Sequence, residues 1–113
     1  LTVITFSGAL PGVAGQTVFD RAELDRIMQL YGRMVAAGEW RDYAISFARE
    51  TATFSAFRRA AERPEFRLVK EPGLRNRQGQ YSLIGEAGQT LKRGNDLGAV
   101  LAPAARRLMK LAD

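Results

Sequence analysis

The apolar positions along the chain change their period at Asp42. Before it, Leu24, Ile27, Met28, Tyr31, Met34 and Val35 recur mostly at steps of three or four, with Arg21, Asp25, Arg26 and Arg33 around them, which is the stripe of an amphipathic helix facing a core. Asp20 and Glu23, three residues apart, can form a capping box, and Phe19 and Leu24 are spaced as a hydrophobic staple, so the helix is expected to start here. Gly38 supplies its stop. Gly32 inside the helix costs about 1 kcal/mol relative to Ala, and the expected reason for it is a second backbone passing close by.

From Asp42 the period falls to two. Two runs pair in a register whose residue numbers add to 101, with Phe47 opposite Phe54, Ile45 opposite Ala56 and Tyr43 opposite Arg58 on one face. The other face then pairs Ser46 with Ser55, Ala44 with Phe57, and Asp42 with Arg59 as opposite charges, around a turn at Glu50-Thr51. Pro64 cannot donate to a sheet ladder and marks a loop before the strand Phe66 to Lys70. A glycine-hinged loop leads to a strand at Tyr81 to Ile84, and a turn at Ala87-Gly88 brings Leu91 opposite Ile84. Asn95 is the expected cap of a second helix carrying Leu97, Val100, Leu101, Leu108 and Leu111, with Asp96 in its first turn. Pro103 should break it into two short helices or bend it. The fold class is therefore α+β: an N-terminal amphipathic helix, an antiparallel meander of four or five strands and a Pro-interrupted C-terminal helix, with both helices on one sheet face. At 113 residues this is one domain, read as residues 17–113, behind a flexible or weakly structured segment 1–16.

Composition narrows the chemistry. Cysteine and histidine are both absent, which removes disulfides, thiolate nucleophiles, the usual zinc sites and imidazole acid–base work. Several carboxylates already have structural roles in this reading: Asp20, Glu23 and Asp96 at caps, Asp42 opposite Arg59. No catalytic residue, metal or cofactor is expected, and the protein is not expected to be an enzyme. No apolar run approaches the ~20 residues that cross a bilayer, so no membrane association is expected. The absence of cysteine fits a cytoplasmic location. Oligomeric state is left open.

The runs Phe19-Asp20-Arg21-Ala22-Glu23-Leu24 and Tyr31 to Ile45, followed by Phe54-Ser55-Ala56-Phe57-Arg58-Arg59, Arg77-Gln78-Gly79-Gln80-Tyr81 and Leu91-Lys92-Arg93-Gly94, resemble a family of small alphaproteobacterial proteins catalogued as a domain of unknown function. The resemblance covers roughly residues 19 to 101. It implies a bacterial protein and supplies no activity, cofactor or catalytic residue.

What remains is charge. Residues 1–50 hold 5 basic and 6 acidic side chains, whereas residues 51–113 hold 12 and 6, so the net charge of +5 comes from the second part. Arg58 and Arg59, Arg75 and Arg77 in the long loop, and Lys92 and Arg93 are the candidate phosphate contacts of a small nucleic-acid-binding regulatory module, for DNA or RNA alike. Arg106, Arg107 and Lys110 could add to their field. Phe57 and Tyr81 are candidates for stacking on unpaired bases if they are exposed. The alternative is a protein-interaction adaptor using the open sheet face or the region of Trp40, where Arg33 and Arg41 also gather. Helix, antiparallel strands, helix is also the order of the phosphotyrosine-binding Src-homology modules, and Phe47-Ala48-Arg49-Glu50 looks like their phosphate-binding strand, although Arg49 then falls at a tight turn.

Overall fold

The structure, a computed structural model, describes residues 15–59 and 63–112, with side chains to residue 108. The expectation for residues 1–16 falls, apart from Gly15 and Gln16, outside the described residues. The elements follow in the order α1 (Arg21–Ala36), β1 (Asp42–Phe47), β2 (Ala52–Phe57), β3 (Phe66–Lys70), β4 (Tyr81–Gly85), β5 (Thr90–Gly94) and α2 (Leu97–Ala112). The strands make one antiparallel sheet in the order β1-β2-β3-β4-β5, so the α+β class and the meander are as expected.

Both helices cover one face. Ile27, Leu30 and Met34 of α1 and Leu97, Val100, Leu101 and Ala104 of α2 are buried with Ile45, Phe54, Ala56, Leu68 and Leu83 of the sheet. The stripe on α1 differs from expectation at one position. Val35 is 43% exposed and Leu30 lies in the core instead. Gly32 is also exposed, and a Cβ there would meet nothing, so no second backbone passes it. The close approach lies elsewhere: Gly79, at φ +99°, would bring a Cβ to 2.5 Å from the Cα of Gly94.

Both ends of α1 are fixed as the residues dictate. The capping box forms in full, the Glu23 N–H donating to Asp20 Oδ1 at 2.8 Å and the Asp20 N–H to Glu23 Oε1 at 2.7 Å. At the far end Gly38, at φ +77°, donates to Val35 O and Glu39 to Met34 O, a Schellman closure.

The β1–β2 register is corrected by two residues. Asp42 pairs with Phe57, Tyr43 with Ala56, Ile45 with Phe54 and Phe47 with Ala52. A two-residue shift preserves which side chains share a face, so the expected faces survive while the expected partners do not. The cause is the turn, which is Arg49-Glu50, closed by Ala48 N–H to Thr51 O at 2.8 Å and held by Thr17 through Ala48 O and Arg49 O. Arg58 and Arg59 consequently lie past the end of β2 and pair with neither Tyr43 nor Asp42. Tyr43 packs instead on Tyr31, with ring centres 4.9 Å apart.

Two further expectations change and one alternative is decided. The hairpin after β4 closes through Gly85 N–H to Gln89 O, with Gly88 at φ +87°, so Ile84 faces Thr90 and Leu91 becomes the extra residue of a bulge, 39% exposed. Asp96 caps α2, its Oδ1 accepting from the Gly98 N–H at 3.0 Å. Asn95 does other work: its side chain accepts from the Gln80 N–H at 2.8 Å and donates to Arg75 O at 2.9 Å, tying the long loop to the end of β5. Finally, of the two alternatives for Pro103 the single helix is observed: α2 runs from Leu97 to Ala112 with Pro103 inside it, and Val100 and Leu101 before it and Ala104 after it are packed into the same core.

A candidate phosphate-binding surface

The registers define two ends. At the apical end lie the β1–β2 turn, the loop from Lys70 to Tyr81, and the starts of both helices. At the basal end lie the start of β1, the end of β2, the start of β3, the β4–β5 turn and the later turns of both helices.

Charges at the apical end are interlocked. Glu23, 7% exposed, is the hub. Its Oε1 accepts from Lys70 Nζ at 2.7 Å as well as from the Asp20 N–H, its Oε2 accepts from the Tyr81 hydroxyl, and Lys70 also donates to Val18 O at 2.9 Å. This network fastens the start of α1 to β3 and β4. Burial, and then the bond to Glu23, push the Tyr81 hydroxyl well above its ordinary pKa of 10.0, so it stays a neutral donor.

The basal end is built differently. Glu65 is 5% exposed, its Oε2 accepts from Trp40 Nε1 at 2.7 Å, and its Oε1 lies against Arg107 and 3.8 Å from Arg58 Nε. Oε1 accepts no hydrogen bond of normal geometry, but two guanidinium groups meet its charge. Arg107 is held in addition by Glu39 at 3.3 Å. The charge of Glu65 is thereby met by two guanidinium groups, one from α2 and one just past the end of β2. In front of it a cleft of about 240 Å³ is lined by Arg58, Arg59, Arg63, Glu65 and Glu86, and it adjoins a second of about 400 Å³ lined by Arg63, Pro64, Arg67 and the turn Gly85 to Gly88. The two clefts share Arg63 and Glu86 and are together called the basal trough. Among the described residues Arg59, Arg63 and Arg67 are exposed and make no ion pair.

Through Arg67 the trough borders the sheet face opposite the helices, on which Arg67 and Arg93 are exposed while Ser82 and Phe57 are buried. Arg67 stands there between Ser55 and Ile84, and Arg93 stands beside Ser82, with Thr53 and Val69 in the same surface. Of the six candidate phosphate contacts, Arg58 and Arg59 are therefore brought together, whereas Arg75 and Arg77 are exposed at the opposite end. Lys92 and Arg93 are neighbours on β5 and point to opposite faces, Lys92 sharing that of Leu83 and Arg93 that of Ser82. Arg63 and Arg67 were not among the candidates. Arg67 was detectable, since it occupies an outward position of an alternating strand; Arg63 is marked by nothing local.

The aromatic candidates are corrected by burial. Phe57 is 5% and Tyr81 6% exposed, Tyr81 being held by Glu23, so neither offers a ring to a base. Trp40, 2% exposed and bonded to Glu65, is a packing anchor and no contact surface. Arg49 sits in the β1–β2 turn and not within a strand, which removes the phosphotyrosine-pocket reading.

Fold and surface together define a small α+β domain with an arginine trough at one end of a half-covered sheet. The chain belongs to the family described as "Protein of unknown function (DUF2794)", whose model matches residues 17–101. No curated protein and no solved structure matches the chain.

Proposed function

We propose that the protein binds nucleic acid through the phosphate backbone, with Arg58, Arg59, Arg63 and Arg67 as the contacts. The observation that carries this reading is the basal trough, where three exposed guanidinium groups without carboxylate partners among the described residues adjoin an Arg58 held from behind by Glu65. Guanidinium forks suit phosphate oxygens, and an exposed cluster of them releases condensed counterions when it meets a polyanion. Glu86, exposed on the rim, is the one opposing carboxylate that stays unneutralised among the lining residues. Among the described residues no helix is long and apolar enough to cross a membrane.

The adaptor reading is weaker. The only large apolar side chains exposed among the described residues are Val35 on α1 and Leu91 on β5, which form no patch. Titration of the protein into a labelled 20-mer DNA and RNA tests the proposal. With four contacts on a single strand, affinity should fall by about 50-fold between 50 and 200 mM salt. Absence of binding at 50 mM salt contradicts the reading.

A further inference from the structure

We infer that the ligand is recognised through its sugar–phosphate chain alone, with no contribution from the bases. This rests on the reading above and narrows it.

Two features carry the inference. No aromatic ring among the described residues is exposed: eight belong to or pack against the helix-covered core, and Phe57, which shares the face of Thr53 and Ser55, is 5% exposed. Phe19, Trp40, Phe54, Phe57 and Tyr81 are buried, and Tyr31, Tyr43, Phe47 and Phe66 pack against the core cluster. Non-selective binding of unpaired bases works by stacking on exposed rings, and the open sheet face has none among the described residues. Of its central positions Thr53, Ser55, Arg67, Val69, Ser82 and Ile84, Arg67 is exposed, Ser82 is buried and the others are half-buried, so the cation is what this face presents. Meanwhile the two concavities adjoin, both lined by Arg63, with Arg58 and Arg59 in one and Arg67 in the other, so cations line both sides of the shared residue. Phosphate contacts fix position without reading sequence. A surface with the second kind of contact and without the first senses polyanion spacing only.

The test compares three labelled 20-mers: oligothymidine, oligoadenosine and an abasic chain of tetrahydrofuran phosphodiesters, each measured by fluorescence anisotropy with the full chain over 50 to 200 mM salt. Dissociation constants within threefold of one another, with equal salt slopes, support the inference. In the same assay Arg63→Ala, an exposed position whose loss leaves the core untouched, should weaken all three by the same factor. An abasic chain that binds more than threefold more weakly than oligothymidine overturns the inference while leaving the parent reading intact. A failure of all three to bind at 50 mM salt overturns both. Unequal effects of Arg63→Ala on the three ligands also contradict it.

Discussion

The two ends of the sheet use similar residues to opposite effect. At the apical end Arg21, Arg49, Lys70, Arg75 and Arg77 stand with Asp20, Glu23, Glu50, Glu71 and Asp96, and the central charges are locked in a buried network around Glu23. Among the described residues, the basal end sets Arg33, Arg41, Arg58, Arg59, Arg63, Arg67, Arg106 and Arg107 against Glu39, Asp42, Glu65 and Glu86. Two of those four carboxylates, Glu39 and Glu65, are occupied by Arg107. A buried charge pair holds elements in register, and its cost of desolvation is met only when every partner is present. Exposed cations contribute little to folding and remain available to a ligand. The contrast places a buried stabilising network at one end and unpaired cations at the other, and under the proposed function substitutions should separate stability from binding.

The largest effect is expected at the hub. Glu23→Ala deletes the capping box, strands the Lys70 ammonium and leaves the Tyr81 hydroxyl without its acceptor, so about 4 kcal/mol of unfolding free energy should be lost in a denaturant titration. A loss below about 1 kcal/mol would mean that solvent replaces those partners. Next comes Gly79→Ala, which combines a left-handed backbone with a collision against Gly94; about 3 kcal/mol is expected, read from the same titration. A neutral result would place the long loop farther from β5 than the structure does.

A smaller and pH-dependent effect follows from Tyr81. Its pKa is raised in the fold above 10.0, so its share of stability is fully present below about pH 10 and is lost as pH rises beyond it, when the unfolded chain releases the proton first. Tyr81→Phe should cost about 1 to 2 kcal/mol at neutral pH, because Glu23 loses a donor, and should flatten the decline of stability above pH 10. An unchanged slope in that range would contradict the assignment. Smallest of all, Arg59→Ala, Arg63→Ala and Arg67→Ala should each change stability by less than about 0.5 kcal/mol.

Much of this architecture was legible in residue pattern. The capping box at Asp20 and Glu23, the stop at Gly38 and the alternation in the strands depend on local chemistry, and each is observed. The β1–β2 register was not, because side-chain parity is blind to a shift of two and the decisive contact, Thr17 on the turn, comes from a distant part of the chain. The roles of Glu23, Lys70 and Glu65 were hidden for the same reason: a charged residue shows burial only through partners that the fold supplies. Dividing the charge between the two parts of the chain located the excess but not its place, since a meander returns alternate strands to the same end. Thus Arg58 and Arg63 meet, whereas Arg75 is carried away from both.

The salt dependence of oligothymidine binding tests the division of labour most directly, measured for the native chain, for a variant with Arg59, Arg63 and Arg67 all changed to Ala, and for one with Arg75 and Arg77 changed to Ala. Removing three single-strand phosphate contacts should reduce the slope of log affinity against log salt by about 2, while the apical variant keeps the native slope. Equal reductions in the two variants, or a larger one in the apical variant, would contradict it.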